Sequence, residues 1–245
     1  MIIGILQTDR VKPEFSQRFG EYPAMFRSLL LGIDAGLGFR VYDVRHGVYP
    51  EDMDQCDAYI TTGSRASVYQ HDPWIEELRD FIVQLDQRRK KLVAVCFGHQ
   101  LVAQTFGGHT ERSERGWGVG VHRWRVTMRK RWMMPPLPAF RLIVSHQDQV
   151  TRLPDGAELL AGSDFCPIAM YQRGEHTLAI QGHPEFGRSY AESLMRHRQD
   201  LLGEAVFNDG IRSLRLPTDE TTVARWILTF IAGEEAGGGP GRGLG

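Results

Sequence analysis

The sequence predicts an α/β protein: a central, mostly parallel sheet flanked by helices, with a small antiparallel strand region in its second half. Two observations carry this. Apolar, β-branched runs at residues 2–6, 39–44, 58–61 and 92–95 alternate with segments of helical periodicity, notably 25–35 and 73–87, the pattern of parallel strands joined by crossover helices. From Val119 the rhythm changes, and residues 119–126 alternate as a half-exposed antiparallel strand does. A chain of 245 residues, 42% of them hydrophobic, can bury a full core in one domain, here residues 1–232.

Taken in order, Met1-Ile2-Ile3-Gly4-Ile5-Leu6 is the first strand, because it lacks a basic leader and reaches Gln7-Thr8-Asp9-Arg10 too soon for a signal peptide or membrane span. The helix over 25–35 is expected to stop at the glycines of Asp34-Ala35-Gly36-Leu37-Gly38. Asp72-Pro73 supplies an N-cap and a proline at the first position of the helix over 73–87. Leu92-Val93-Ala94-Val95 is a buried strand running into Cys96-Phe97-Gly98-His99-Gln100, where Gly98 lets the chain through a tight turn. The helix that follows closes at Gly107-Gly108. Further strands are expected at 142–145, 158–161, 168–171 and 177–181, and helices at 188–202 and 220–231. The basic, methionine-bearing loop 128–138 reads as a solvated loop with a few anchoring apolar residues, a docking surface or a flap over the site being the alternative. Residues 233–245, with seven glycines and a proline, read as a disordered tail.

Charge narrows the partners. With 29 basic and 30 acidic side chains the chain carries no electrostatic footprint for nucleic acid or an anionic membrane, so small molecules or other proteins are expected. The three cysteines, Cys56, Cys96 and Cys166, form no CxxC pair and are odd in number, which suggests neither a disulfide framework nor a zinc site and fits a reducing cytoplasm.

Cys96 sits where a strand turns sharply into a helix. A side chain there projects beyond the sheet, and the first N–H groups of the helix, with its positive dipole end, favour a thiolate and any oxyanion formed beside it. The flanking residues fit a nucleophile elbow with sulfur in place of a serine hydroxyl, and equally a small buried hydrophobe. Near the far end, Leu178-Ala179-Ile180-Gln181 reads as a strand that stops at Gly182-His183-Pro184-Glu185. His183 and Glu185 then lie at the C-terminal edge of the sheet, where open α/β sheets build their sites and where Cys96 emerges. A thiol, an imidazole and a carboxylate are what nucleophilic acyl transfer needs.

Val95-Cys96-Phe97-Gly98-His99-Gln100, paired with Gln181-Gly182-His183-Pro184-Glu185, resembles the class I glutamine amidotransferases, the Cys-His-Glu triad family, over about residues 2–202. The resemblance implies a flavodoxin-like core, with Cys96 as nucleophile, His183 as general base and acid, Glu185 as its orienting partner, and no metal or cofactor. Thr61-Thr62-Gly63-Ser64 matches the family's glycine loop, which assigns the oxyanion hole to the N–H groups of Gly63 and Phe97. Ser64, Gln100, Trp117 in Gly116-Trp117-Gly118, and Ser145, His146 and Gln147 match positions that line the substrate pocket. Ala94 replaces a glycine found in many members. Gly182 stands where an aromatic residue precedes His-Pro-Glu in biosynthetic members, and the exchange is expected to widen the pocket around the scissile amide. With Ser145-His146-Gln147-Asp148, it inclines the resemblance toward stand-alone, GMP-synthase-like members such as the γ-glutamyl peptidases of plants. The activity implied is hydrolysis of the γ-amide of glutamine, or of another small-molecule γ-glutamyl amide or peptide, through a thioester on Cys96. The alternatives are a glutaminase subunit delivering ammonia to a separate synthase subunit, since only a helix or two and the tail follow Leu202, and a non-catalytic binding module of the same fold.

Overall fold

In each central strand, alternate side chains face opposite ways into apolar surroundings. Ile3, Ile5, Ala58, Ile60, Val93, Val95, Leu178 and Ile180 enter one core; Leu6, Tyr59, Leu92, Ala94 and Ala179 enter the other. Strands buried on both faces need helices on both sides, and the computed structural model, which describes residues 1–233, has them. The segment read as a disordered tail lies, from Glu234 on, outside the described residues.

The strands are β1 (Ile2–Gln7), β2 (Gly38–Asp43), β3 (Ala58–Thr61), β4 (Lys91–Val95), β5 (His109–Arg112), β6 (Gly118–Val126), β7 (Ala139–His146), β8 (Asp148–Arg152), β9 (Ala157–Gly162), β10 (Met170–Arg173) and β11 (Thr177–Ile180). The helices are α1 (Pro13–Phe19), α2 (Tyr22–Leu31), α3 (Pro73–Gln87), α4 (Phe97–Thr105), α5 (Arg188–His197), α6 (Gln199–Leu202), α7 (Glu204–Ser213) and α8 (Glu220–Ala232). Nine strands form one sheet in the order β2-β1-β3-β4-β11-β10-β9-β6-β7. The first five run parallel, and the rest extend the sheet as an antiparallel wing. A separate antiparallel pair, β5-β8, stands beside α4.

Phe26 and Leu30 of α2 pack with Trp226 and Ile227 of α8 in the first core. Leu78 and Ile82 of α3 pack with Leu101 and Val102 of α4 in the second. A third core joins the wing to α5 and α7 through Val119, Val121, Ile143, Leu194 and Phe207.

Local differences from the sequence reading have physical causes. The second helix ends at Leu31, with the Gly32 amide donating to Ser28 O at 3.2 Å; the apolar Ile33 disguises this stop. Asp72 occupies the N-cap of α3 with Pro73 beside it, but its side chain makes no cap bond. The span expected as one helix over 188–202 breaks at Arg198 into α5 and α6. Residues 145–150 are two strands separated by Gln147. The loop 128–138 is anchored: Trp132 and Met133 are buried, Trp132 Nε1 donates to Gln172 Oε1 at 3.0 Å, and Trp226 Nε1 donates to Pro135 O at 2.9 Å. It covers part of the first core, as a loop with anchoring apolar residues does.

Candidate active site

The elbow is strained at the cysteine itself. Cys96 has φ 51° and ψ −99°, a left-handed conformation that a non-glycine residue enters at a cost and keeps only when its surroundings hold it. Here they do: its N–H donates to Ile180 O at 2.8 Å, tying it to β11, and its carbonyl accepts the Gln100 N–H at 3.1 Å as the first bond of α4. Phe97 opens the helix, so its N–H has no acceptor within it. Gly98 is not the residue that makes the turn. It is helical, and a Cβ there would lie 1.9 Å from Thr61 Oγ1, the oxygen that accepts the Val95 N–H at 3.0 Å. The glycine is required by the close approach of β3.

His183 reaches the same place from β11. Its N–H donates to Ile143 O at 2.8 Å, and its Nδ1 bonds Glu185 Oε1 at 2.8 Å. Phe186 stacks flat on the imidazole, centroids 3.9 Å apart and planes 7° apart, and is itself gripped by Tyr22 and Tyr190. Hydrogen bond and stack together fix the ring's plane and its rotation. Cys96 and His183 are 5% and 3% exposed. Burial pulls the His183 pKa down, but the Cys96 sulfur and then the Glu185 carboxylate outweigh it and push it up to about 10. An imidazole so placed holds its proton at neutral pH.

The glycine loop closes the third side. A Cβ on Gly63 would sit 2.7 Å from His183 Cε1 and 3.6 Å from Cys96 Cβ, so only a bare backbone fits between them. Thr8 holds the loop by donating from Oγ1 to Gly63 O at 3.0 Å. Cys96, His183, Glu185, Gly63 and Phe97 are thus brought together.

Ser64, Gln100, Trp117, Ser145, His146 and Gln147 line one open cleft of about 180 Å³ with Cys96. Not all are free to reach a ligand. Gln100 Nε2 donates to Asp148 O at 2.8 Å and Gln181 Oε1 at 3.2 Å. His146 Nδ1 bonds Asp148 O at 3.1 Å, and burial pulls its pKa to about 3, so it is neutral. Ser145 Oγ accepts from Arg198 Nη1 at 2.9 Å.

Gly182 does not widen this cleft. A Cβ there would lie 2.4 Å from the Trp124 ring and 3.1 Å from Leu142 Cβ, so a wing tryptophan fills the space that an aromatic residue at 182 would need. The expectation of an enlarged pocket is corrected accordingly.

Residues given no site role by the sequence also stand here: Gln181 Nε2 approaches Cys96 Sγ at 3.7 Å, Phe186 covers the imidazole, and Arg65, Ser67 and Arg198 line the cleft. Arg65 adjoins the glycine loop, which was a usable signal; Arg198 lies in an amphipathic helical stretch where nothing marks it. Cys56 and Cys166 are buried free thiols that line neither hollow beside Cys96, and burial pushes Cys166 up to about 12. Among the described residues no group of His, Cys, Asp and Glu is arranged to hold a metal, and no helix is long and apolar enough to cross a membrane.

This arrangement can attack an acyl carbon, stabilise the oxyanion and protonate a leaving nitrogen. Comparison with known proteins bears on the family and the fold. Residues 41–198 match the profile of the family described as glutamine amidotransferase class-I. γ-Glutamyl peptidase 4 of Arabidopsis thaliana is 36% identical over 185 residues, covering 71% of this chain and 72% of that protein. A glutamine amidotransferase-like protein of Schizosaccharomyces pombe is 28% identical over 94% of this chain and 98% of its own. A solved glutamine amidotransferase from Thermotoga maritima superposes with a TM-score of 0.72 over 94% of this chain and 96% of that one, at 16% identity, a likeness of fold.

Proposed function

The chain belongs to the class I glutamine amidotransferase family, and from that premise we propose that it is a cysteine-dependent amidohydrolase that cleaves γ-glutamyl amides through a glutamyl thioester on Cys96. The observation that carries the reading is the Cys96 thiol held at a strained strand end beside a His183–Glu185 pair bonded at 2.8 Å. The Cys96 thiolate attacks the γ-carbonyl, forming the S–C bond, and the N–H groups of Gly63 and Phe97 receive the oxyanion. As the tetrahedral centre collapses, the C–N bond breaks and the His183 imidazolium gives its proton to the departing nitrogen.

The thiolate charge that raised the His183 pKa disappears into the thioester, so the histidine becomes a better acid as the reaction proceeds and is left neutral. It then takes a proton from water, whose oxygen attacks the thioester carbon; the C–S bond breaks, glutamate leaves, and the thiolate–imidazolium pair is restored. Glu185 keeps Nδ1 protonated throughout, leaving Nε2 as the working nitrogen.

Support for a γ-glutamyl substrate comes from the family and from the γ-glutamyl peptidase relative. The test is turnover of glutamine, glutathione and a panel of γ-glutamyl amines by the purified chain, together with labelling by a glutamine-analogue alkylator. Release of glutamate and labelling are both expected to vanish in Cys96→Ala. Absence of labelling at Cys96 in the unaltered chain overturns the proposal in favour of a binding module, and turnover that appears only with an added synthase favours a glutaminase subunit.

A further inference from the structure

Resting on the amidohydrolase reading, we propose that Asp9 is a positioning residue for the oxyanion hole, holding the Gly63 side through Arg65 and the Phe97 side through Arg45, so that it governs the rate of acyl transfer without touching the substrate.

β1 brings Asp9 to the edge of the sheet where Cys96 emerges. The residue is 1% exposed and lines neither hollow that opens at Cys96, so any effect on the reaction passes through its neighbours. A buried carboxylate is costly unless its lone pairs are filled. Here the Arg65 backbone N–H at 2.9 Å and Arg65 Nε at 2.8 Å donate to Oδ2. Arg65 Nη2 at 2.9 Å, the Arg10 backbone N–H at 2.8 Å and Arg45 Nη1 at 3.1 Å donate to Oδ1. Burial works against the charge on Asp9, but the bonds from Arg65 and Arg10 outweigh it and hold the carboxyl below its ordinary range.

The grip on Arg65 bears on Gly63, two residues earlier. Upstream, the Thr62 N–H donates to Leu6 O at 3.0 Å and Thr8 Oγ1 donates to Gly63 O at 3.0 Å. Gly63 is thereby held between two fixed points, and because glycine is the residue freest to rotate, the aim of its N–H depends on both. Arg45 carries the second link. Its guanidinium carbon lies 5.4 Å from the centre of the Trp74 ring, and Trp74 stacks on Phe97 at 5.3 Å with planes 28° apart. One carboxylate thus joins, through two guanidinium groups, the two segments whose N–H groups receive the oxyanion. Those donors act on an oxygen whose charge develops only in the transition state. Attack on the amide and attack of water on the thioester both pass through such an oxyanion, so a loosened clamp lowers kcat with little change in KM.

The test measures kcat and KM for the fastest amide of the γ-glutamyl panel in the unaltered chain, Asp9→Asn and Arg45→Gln. Beside them it measures the rate and extent of Cys96 alkylation by iodoacetamide, read on the Cys96 peptide by mass spectrometry. Alkylation displaces iodide at a saturated carbon and forms no oxyanion, so it reports the thiolate alone, and loss of a nearby negative charge would by itself favour that thiolate. Per alkylatable Cys96, kcat is expected to fall about tenfold or more in Asp9→Asn and about threefold or more in Arg45→Gln, while KM holds and alkylation is no slower. Arg45, partly exposed and joined to Asp9 by one bond, decides the matter should Asp9→Asn not fold. Unchanged kcat per site in either folded variant, or a parallel fall in kcat and alkylation that marks general disorder of the site, overturns the inference and leaves the amidohydrolase reading in place. No Cys96-dependent turnover of any amide in the panel by the unaltered chain overturns both.

Discussion

At Glu185 one carboxylate oxygen bonds His183 Nδ1 and the other has no hydrogen-bond partner, so the side chain acts on a single neighbour. His183 has a folded-state pKa raised from 6.5 to about 10, so the stabilisation from its charged form is complete below pH 6.5 and lost as the pH climbs toward 10. Glu185→Gln removes one of the two charges that raise it. Thermal unfolding at a series of pH values is expected to show a shallower decline between 6.5 and 10 in this variant than in the unaltered chain, and turnover should fall on the order of a hundredfold as the ring loses its tautomer. Parallel unfolding curves would count against the coupling. The residues of this triad were legible because both motifs put reactive side chains at strand ends. Arg198 was not, because a polar side chain in a helix looks the same in sequence whether it faces solvent or a cleft, and Arg65 was marked only by its place beside the glycine loop.

Among the elements, the loop 128–138 is solvated and anchored at once: Arg129, Arg131 and Met134 are exposed, while Trp132 meets Phe230 edge-on at 5.4 Å and closes the core over α8. Trp132→Ala is expected to cost about 3 kcal/mol in denaturant unfolding while kcat/KM per folded molecule stays unchanged; a loss of activity without a loss of stability would favour the flap. Parallel strands were easy to read because each is apolar on both faces. The short helix α1 buries none of its own residues, and β5 and β8 pair beside α4 instead of joining the main sheet, so none of the three carries a strong periodic signal.

Across the whole molecule, the antiparallel wing shapes the site from behind. Ile143 of β7 receives the His183 N–H, and Trp124 of β6 fills the space beside Gly182. Gly182→Ala is expected to destabilise the chain by about 1–3 kcal/mol and to lower kcat by displacing His183, with unfolding and turnover measured on one preparation; full activity and stability would mean that the ring has room to move. The sequence by itself determined the α/β pattern, the elbow cysteine and the His-Pro-Glu segment, because hydrophobic period and short motifs are local properties. Only the tertiary structure decided why Gly98 and Gly182 are glycines, and which charges stand around the thiol. Those depend on approaches between segments distant in the chain, Thr61 to Gly98, Trp124 to Gly182 and Asp9 to Arg65, which no local pattern encodes.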